Sequence, residues 1–332
     1  MHTKIFFPLF MVLALFTNCG QTTTKKENAA TSIPEMLKRP KQIGPEGEMA
    51  SMLELYDRMV GNIKANPKDV ESQLTLIELF MQEARISGEH GYYYPAALKM
   101  ANEVLAQPLE PAMKYRALLD KASVLLSQHQ FAEAKSVGEE AVGINPNEAG
   151  VYGVLIDANV ELGNYDKAVE TADKMMSIRP DIRSYSRVSY LREIHGQVNP
   201  AIEAMKLAVS AGYPGMEQTE WARLTLGNLY LRYGKVDSAI YQYKMALSAR
   251  PNYPFAVAAL ARAEAQKGNQ AEADKLINQA CDLIPEVSFY VDKAIWEKKK
   301  GNTAVATELT QDIMDMLADD VKSGHQMGLE YV

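Results

Sequence analysis

Eight side chains on three predicted helices have the types and spacing of a protein-binding surface. Arginine offers a planar fork that grips a carboxylate through two hydrogen bonds and also stacks on aromatic rings. Tyrosine, tryptophan and arginine dominate binding hot spots. Helical spacing places the following set on one face of each helix: Arg183, Arg187 and Tyr190; Trp221, Asn228 and Arg232; Phe255 and Arg262. We expect this surface to hold an extended or helical segment of acidic character.

Catalytic and metal-binding patterns are missing from the sequence. None of the five histidines lies three or four residues from another, and no cysteine pair has zinc spacing. There is no phosphate-binding glycine loop and no nucleophile elbow. Paired carboxylates such as Glu139 and Glu140 are better explained as solvated surface. We therefore predict no enzymatic activity, no cofactor and no metal.

The elements that position the arginines come from a repeat with a period near 34 residues. A glycine and an alanine five residues apart recur at Gly163/Ala168, Gly196/Ala201, Gly234/Ala239, Gly268/Ala273 and Gly301/Ala306. Prolines run in the same register at Pro146, Pro180, Pro251 and Pro285, with Pro214 one position late. Glycine ends the first helix, alanine lets the second approach closely, and proline stops the second. The pattern predicts a helical repeat array.

One copy, residues 220–253, resembles the tetratricopeptide repeat at nearly every consensus position. The matching residues are Leu226, Gly227, Tyr230, Gly234, Ala239, Tyr243, Ala246 and Pro251. Another copy carries His129 where the glycine stands elsewhere. The resemblance implies an all-α, right-handed solenoid of about seven repeats over residues 68–319. It also implies that the first helices, which carry the eight side chains, line a concave groove.

Other parts of the chain are predicted from composition. Residues 46–67 have helical apolar spacing and are expected to form a capping helix, and 320–332 a C-terminal tail. A loop containing Tyr92–Tyr94 is a second candidate surface. The eight side chains also have a structural explanation: Trp221 and Phe255 can pack against the preceding repeat, and the arginines can pair with local acids such as Glu193 or Glu264.

The N-terminal sequence predicts a secretion signal and a lipid anchor. An apolar run over residues 5–16 is too short to span a bilayer and fits a signal peptide over 1–18. Cys19 follows, which resembles the looser lipobox of Bacteroidota lipoproteins. The resemblance implies lipidation of Cys19, for example with palmitate, and composition predicts a flexible tether over 19–45. A cleaved signal peptide with an incidental cysteine is the alternative.

Composition and charge narrow the class of partner. The net charge of −7 argues against nucleic acid. Cys281 has no partner if Cys19 is lipidated, and we expect it to be a small buried hydrophobe. The predicted function is a lipid-anchored scaffold that binds an envelope protein or peptide, at the outer membrane facing the periplasm. A glycan- or nutrient-uptake lipoprotein and an enzyme with an unrecognised site are the alternatives.

Overall fold

The computed structural model describes residues 33–39 and 42–324, and the helices of this part lie in one compact unit that begins at Pro34. The described residues contain no β-strand, so the fold is all-α as predicted. The helices are α1 Glu48–Ala65, α2 Val70–Ser87, α3 His90–Leu105, α4 Pro111–Ser127, α5 Phe131–Ile144, α6 Ala149–Glu161, α7 Tyr165–Ile178, α8 Ile182–Ile194, α9 Val198–Ser210, α10 Glu217–Arg232, α11 Val236–Ala249, α12 Pro254–Gln266, α13 Gln270–Leu283, α14 Val287–Lys299 and α15 Thr303–Lys322.

After α1 the helices form successive pairs, from α2 and α3 to α14 and α15, and each pair is joined by a turn of two or three residues. The two helices of a pair pack on each other. Each first helix from α2 to α10 also contacts the first helix of the next pair. The even-numbered helices therefore form one layer of a tetratricopeptide-type α-solenoid.

The turns inside the pairs need a left-handed residue. Gly163 has a φ of 76° and Gly234 a φ of 73°. His129 takes the same place in its repeat with a φ of 61°, so a non-glycine residue accepts this less favourable region there. The helices then approach closely: a Cβ added to Gly227 would lie 2.4 Å from the ring of Tyr243. Only glycine leaves room for that ring against α10.

The tyrosine-rich segment is a helix, which corrects the predicted loop at Tyr92–Tyr94. Gly88 alone makes the turn, with a φ of 77°, and α3 begins two residues later. Tyr93 is fully buried and stacks on Phe80, with 5.6 Å between ring centroids. Tyr94 is also buried. The sequence favoured a loop because Gly88, Gly91 and Pro95 are turn formers, but burial of two tyrosines outweighs their local preference.

The N-terminal segment before α1 packs against the array, which shortens the predicted tether of residues 19–45. Its apolar side chains Met36 and Ile43 are buried. The backbone N–H of Leu37 donates to the hydroxyl of Tyr93 at 2.9 Å. The backbone N–H of Gly44 donates to the carbonyl of Pro251 at 2.8 Å. Cys19 and the rest of that tether, up to residue 32, lie outside the described residues.

This segment fills a contact that we call the seam, where residues 34–39 and 42–48 and the end of α2 meet the region of α11–α13. Ile43 and Ile86 belong to one buried apolar cluster with Tyr253 and Ile284. A glutamate at the start of α1, Glu48, reaches a fully buried arginine, Arg250, through bonds of 2.6 and 2.8 Å. Helix α1 is therefore joined to the end of the fifth pair, α10 and α11, across more than 200 residues of sequence.

A second arginine completes the charge network of the seam. Arg39 donates to both carboxylate oxygens of Glu83, at 2.8 and 2.7 Å, and to Glu48 at 2.8 Å. Burial raises the pKa of Glu48, but the hydrogen bonds and charges of Arg250 and Arg39 outweigh it and hold that pKa below its ordinary value. Both arginines of the seam thus have carboxylate partners.

The C-terminal helix α15 continues to Lys322, three residues beyond the predicted end of the array at 319. The side-chain amide of Gln128 donates to the carbonyl of Ser323 at 3.2 Å, so the end of α15 also reaches the early repeats. Most of the predicted tail, 325–332, lies outside the described residues. None of the helices that the structure describes is long and apolar enough to cross a membrane.

Candidate functional site

A cavity of about 780 Å³ opens on the face formed by the first helices. Its walls come from α2, α4, α6, α8 and α10, so it extends across five repeats. Arg85 at the end of α2 lies 3.7 Å from Glu217 at the start of α10, measured from Nε to Oε2. The two ends of the cavity wall therefore meet, although 132 residues separate them in sequence (217 − 85).

Five of the eight predicted side chains line this cavity: Arg183, Arg187, Tyr190, Trp221 and Arg232. The other three lie elsewhere. Asn228 accepts a hydrogen bond from the hydroxyl of Tyr243 at 2.8 Å. Phe255 packs on Tyr253 and Phe289, and Arg262 pairs with Asp292. Phe255 and Arg262 belong to α12, beyond the last helix of the cavity wall. Helical spacing selected these residues correctly as first-helix residues but did not fix how far the cavity extends.

Arg187 is held flat against α6 by a two-point ion pair. Its Nε and Nη2 donate to the two carboxylate oxygens of Asp157, at 2.9 and 2.6 Å. Nε also donates to the carbonyl of Gly153 at 3.0 Å. A Cβ at residue 153 would lie 3.0 Å from the guanidinium carbon, so the glycine permits this approach. The charge of Arg187 is already neutralised by the protein.

Arg232 is paired in the same way with Glu193 on the neighbouring first helix, at 2.8 Å. Glu193 is one of the local acids that the structural explanation named. Asp157 pairs with Arg187, and Asp292 pairs with Arg262. The four predicted arginines therefore do not attract an acidic partner equally, because three of them already pair with carboxylates of the protein.

Arg183 differs from the other three arginines. Asp181, the acid that acts on it, is occupied: its carboxylate accepts the backbone N–H of Arg183 and Ser184 and pairs with Arg179. Within residues 33–39 and 42–324 no carboxylate forms an ion pair with the guanidinium of Arg183. Arg183 is exposed, but partial desolvation of its guanidinium, with added repulsion from Arg187, Arg179 and Arg85, lowers its pKa despite the attraction of Asp181.

Asp120 is a cavity residue that sequence reasoning missed. It lies in α4, is only 6% exposed, and its Oδ2 has no hydrogen-bond partner among the residues described. Burial, with a smaller contribution from Glu78, raises its pKa to about 8 against the opposing effect of Arg116. The only sequence signal was an acid directly after the apolar residues 117–119, which a single sequence does not distinguish from chance.

Aromatic rings supply the apolar part of the cavity wall. Trp221 is 44% exposed and Tyr190 is 42% exposed, so both rings present much of their surface to the cavity. Met81, Val154 and Leu229 also line it. A cavity lined by two exposed aromatic rings, one unpaired arginine and one unpaired carboxyl has the composition of a recognition site with few polar anchors.

The described residues contain no cluster of three or more metal-ligating side chains. Cys281 is the free cysteine of this region, and burial raises the pKa of its thiol to about 11. At neutral pH it is therefore a protonated, weakly reactive thiol.

Residues 125–192 match the tetratricopeptide repeat family. Similar solved structures include a thermophilic TPR protein of Thermus thermophilus, at 23% identity over 58% of this chain and 98% of that chain, with a TM-score of 0.50. The widely conserved type IV pilus biogenesis factor PilW is 19% identical over 60% of this chain and 92% of its own, with a TM-score of 0.50.

The APC/C hetero-tetramer Cut9–Hcn1 contains a chain 16% identical over 73% of this chain and 45% of its own, with a TM-score of 0.54. No curated protein matches the sequence. These comparisons support a tetratricopeptide repeat protein, and at these identities the likeness to solved structures is a likeness of fold.

Proposed function

We propose that this protein is a scaffold that binds a peptide segment of a protein partner in the cavity between α2 and α10. The observation that supports this most directly is the unpaired guanidinium of Arg183 in the same cavity wall as the exposed rings of Tyr190 and Trp221. Arg183 is exposed and has no acid partner in the free protein, so its guanidinium is open to a two-point contact with a ligand carboxylate. The partner segment therefore carries an acidic side chain or its terminal carboxylate at Arg183.

The proposal extends to the site of action. An apolar run followed by Cys19 supports lipidation of that cysteine and a role in envelope assembly, at the outer membrane facing the periplasm. Growth with an alkyne palmitate analogue tests the anchor. We expect label on the full chain and none on Cys19→Ser, and equal absence of label from both would contradict lipidation.

Binding is tested with residues 34–332 and a phage-displayed library of random peptides, each about 12 residues long, which is enough to follow a groove of this kind. Peptides enriched on the wild type are synthesised, and their dissociation constants are measured by fluorescence polarisation. Arg183→Gln and Trp221→Ala should each weaken binding at least about tenfold, because each removes a central anchor.

The control removes matched side chains outside the cavity. Arg58 is exposed on α1, and Tyr241 is exposed on α11. Arg58→Gln and Tyr241→Ala should leave the dissociation constants unchanged. Equal losses in both sets of variants, or no enriched peptide, would contradict binding in this cavity.

A further inference from the structure

We infer that Asp120 is a second anchor of the cavity and that it binds a basic side chain, lysine or arginine, of the partner segment. The inference rests on the proposed function and adds the chemistry of a second contact. Arg183 on α8 takes an acidic group, and Asp120 on α4 takes a basic group. The partner segment is therefore one that carries opposite charges at two fixed positions.

The geometry around Asp120 leaves one of its oxygens for a ligand. The residue lines the cavity, its side chain is more than nine-tenths buried, and its Oδ2 makes no hydrogen bond within the described part of the chain. Leaving a buried polar atom without a partner is unfavourable, because the atom has lost its water and gained nothing in return. A ligand that supplies the missing hydrogen bond removes that cost on binding.

The protein itself does not supply the missing cation. Arg116 is the basic group that acts on Asp120, but it is already held by two acids. Its Nε donates to Glu78 at 2.8 Å, and its Nη1 donates to Glu71 at 2.5 Å. Glu78 places a further negative charge near Asp120 and so does not act as a partner for its carboxyl group. The local charge therefore favours a positive ligand group over a second carboxylate.

The neighbouring polar residues suit the same ligand. Ser123, one turn along α4, donates its hydroxyl to the carbonyl of Leu119 at 2.8 Å, so the oxygen remains free to accept. Ser123 and Gln82 line the cavity with Asp120. An ammonium or guanidinium group has several donors and no acceptor, which fits a carboxyl and a hydroxyl that both accept. Its binding ionises Asp120, because a nearby positive charge favours the carboxylate.

The test uses the peptides selected on wild-type residues 34–332 and compares three proteins: wild type, Asp120→Asn, and Asp166→Asn as a control. Asp166 is an exposed acid at the start of α7, outside the cavity. We expect Asp120→Asn to weaken binding about thirtyfold or more, as when a buried charge pair loses one partner. Asp166→Asn should bind like the wild type.

Changing the peptide provides a test that does not depend on how the variants fold. Each lysine of a selected peptide is replaced by norleucine, or each arginine by citrulline, and one such change should reproduce the loss on wild type. Calorimetry at neutral pH in buffers of different ionisation enthalpy should show proton release on binding to wild type and none with Asp120→Asn. Proton release distinguishes a direct contact from a purely structural role.

Three outcomes are distinguishable. A loss of about thirtyfold that is confined to Asp120→Asn and to one basic peptide position supports the inference. Equal binding by wild type and Asp120→Asn, with binding still lost in Arg183→Gln, overturns the role of Asp120 and leaves the proposed function intact. If no selected peptide depends on Arg183 or Trp221 for binding, the proposed function and the inference are both overturned.

Discussion

The seam and the cavity both contain arginines and carboxylates, but they satisfy them differently. At the seam, Arg250 and Arg39 each form two-point pairs, with Glu48 and Glu83 respectively. In the cavity Arg183 has no carboxylate partner among the described residues. The cost of desolvating the seam arginines is largely offset by carboxylates of the protein, whereas in the cavity the exposed Arg183 and the buried Asp120 are left for a ligand to pair.

This difference separates a structural role from a binding role. Removing one partner of a satisfied buried pair leaves the other charge exposed to the full desolvation cost. Removing a buried polar group that has no partner instead removes the desolvation penalty of that group. Substitutions at the seam should therefore lower stability, and substitutions at the unpaired cavity residues should weaken binding without lowering stability.

The largest loss of stability is expected for Glu48→Gln at the seam. Arg250 is fully buried and would lose its carboxylate partner, so the free energy of unfolding should fall by about 3–5 kcal/mol. Urea unfolding of residues 34–332 at neutral pH measures it. The exposed Glu46, two residues away, gives the control Glu46→Gln, which should change little.

The same variant has a pH dependence with a defined sign. The pKa of Glu48 is lowered in the folded state, so its contribution is present at neutral pH and is lost as the pH falls through that value. The difference between wild type and Glu48→Gln should therefore shrink in acid. A loss below about 1 kcal/mol at neutral pH would show that the seam charges are not held as described.

Asp120→Asn should have the next largest effect, and it should be a gain. The pKa of Asp120 is raised to about 8, so the folded state binds a proton that the unfolded state has released above its ordinary pKa. Wild-type stability then falls as the pH rises from about 4 to about 8, and the variant lacks this fall. Unfolding at about pH 9 should show a gain of about 1–3 kcal/mol, with little difference at about pH 4. A loss in the alkaline measurement would contradict the unpaired state of this carboxyl.

Arg187→Met should have a smaller effect, because the residue is a paired arginine at a partly exposed position. Its pair with Asp157 is solvated on one side, so we expect a loss of about 1 kcal/mol. Urea unfolding in low and high salt measures it, and the loss should be smaller in high salt. A loss as large as that of Glu48→Gln would remove the distinction between seam and cavity.

Arg183→Gln should have the smallest effect on stability, within about 0.5 kcal/mol of the wild type, because no ion pair is broken. The same variant should lose peptide binding at least about tenfold. Thermal unfolding and fluorescence polarisation on one preparation compare the two quantities. A marked loss of stability would mean that this arginine is structural.

Much of the fold follows from local signals. Glycine turns and proline stops predicted the helical pairs, and even His129 was placed in the glycine position, because each signal acts within a few residues. The tyrosine segment was read as a loop because Gly88 and Pro95 suggested a turn. The packing of residues 34–39 and 42–47 was missed, since their composition is that of a linker and only long-range contacts order them.

The lining of the cavity was predicted in part for the same reason. Helical spacing placed Arg183 and Trp221 on the face of the first helices where the cavity opens. The curvature of the solenoid, which brings Arg85 to Glu217, is set by small rotations accumulated over five repeats. Asp120 carries no motif, and its importance lies in a missing partner, which is visible only in the structure.

The most direct test of the cavity as the binding surface is site-specific photo-crosslinking in cells that express the full chain. Benzoylphenylalanine replaces Gln218, an exposed cavity residue on α10, or Tyr241, an exposed residue on α11 outside the cavity. The account predicts a protein adduct at position 218 that Arg183→Gln abolishes, and none at position 241. An adduct at 241, or one at 218 that persists in Arg183→Gln, would contradict it.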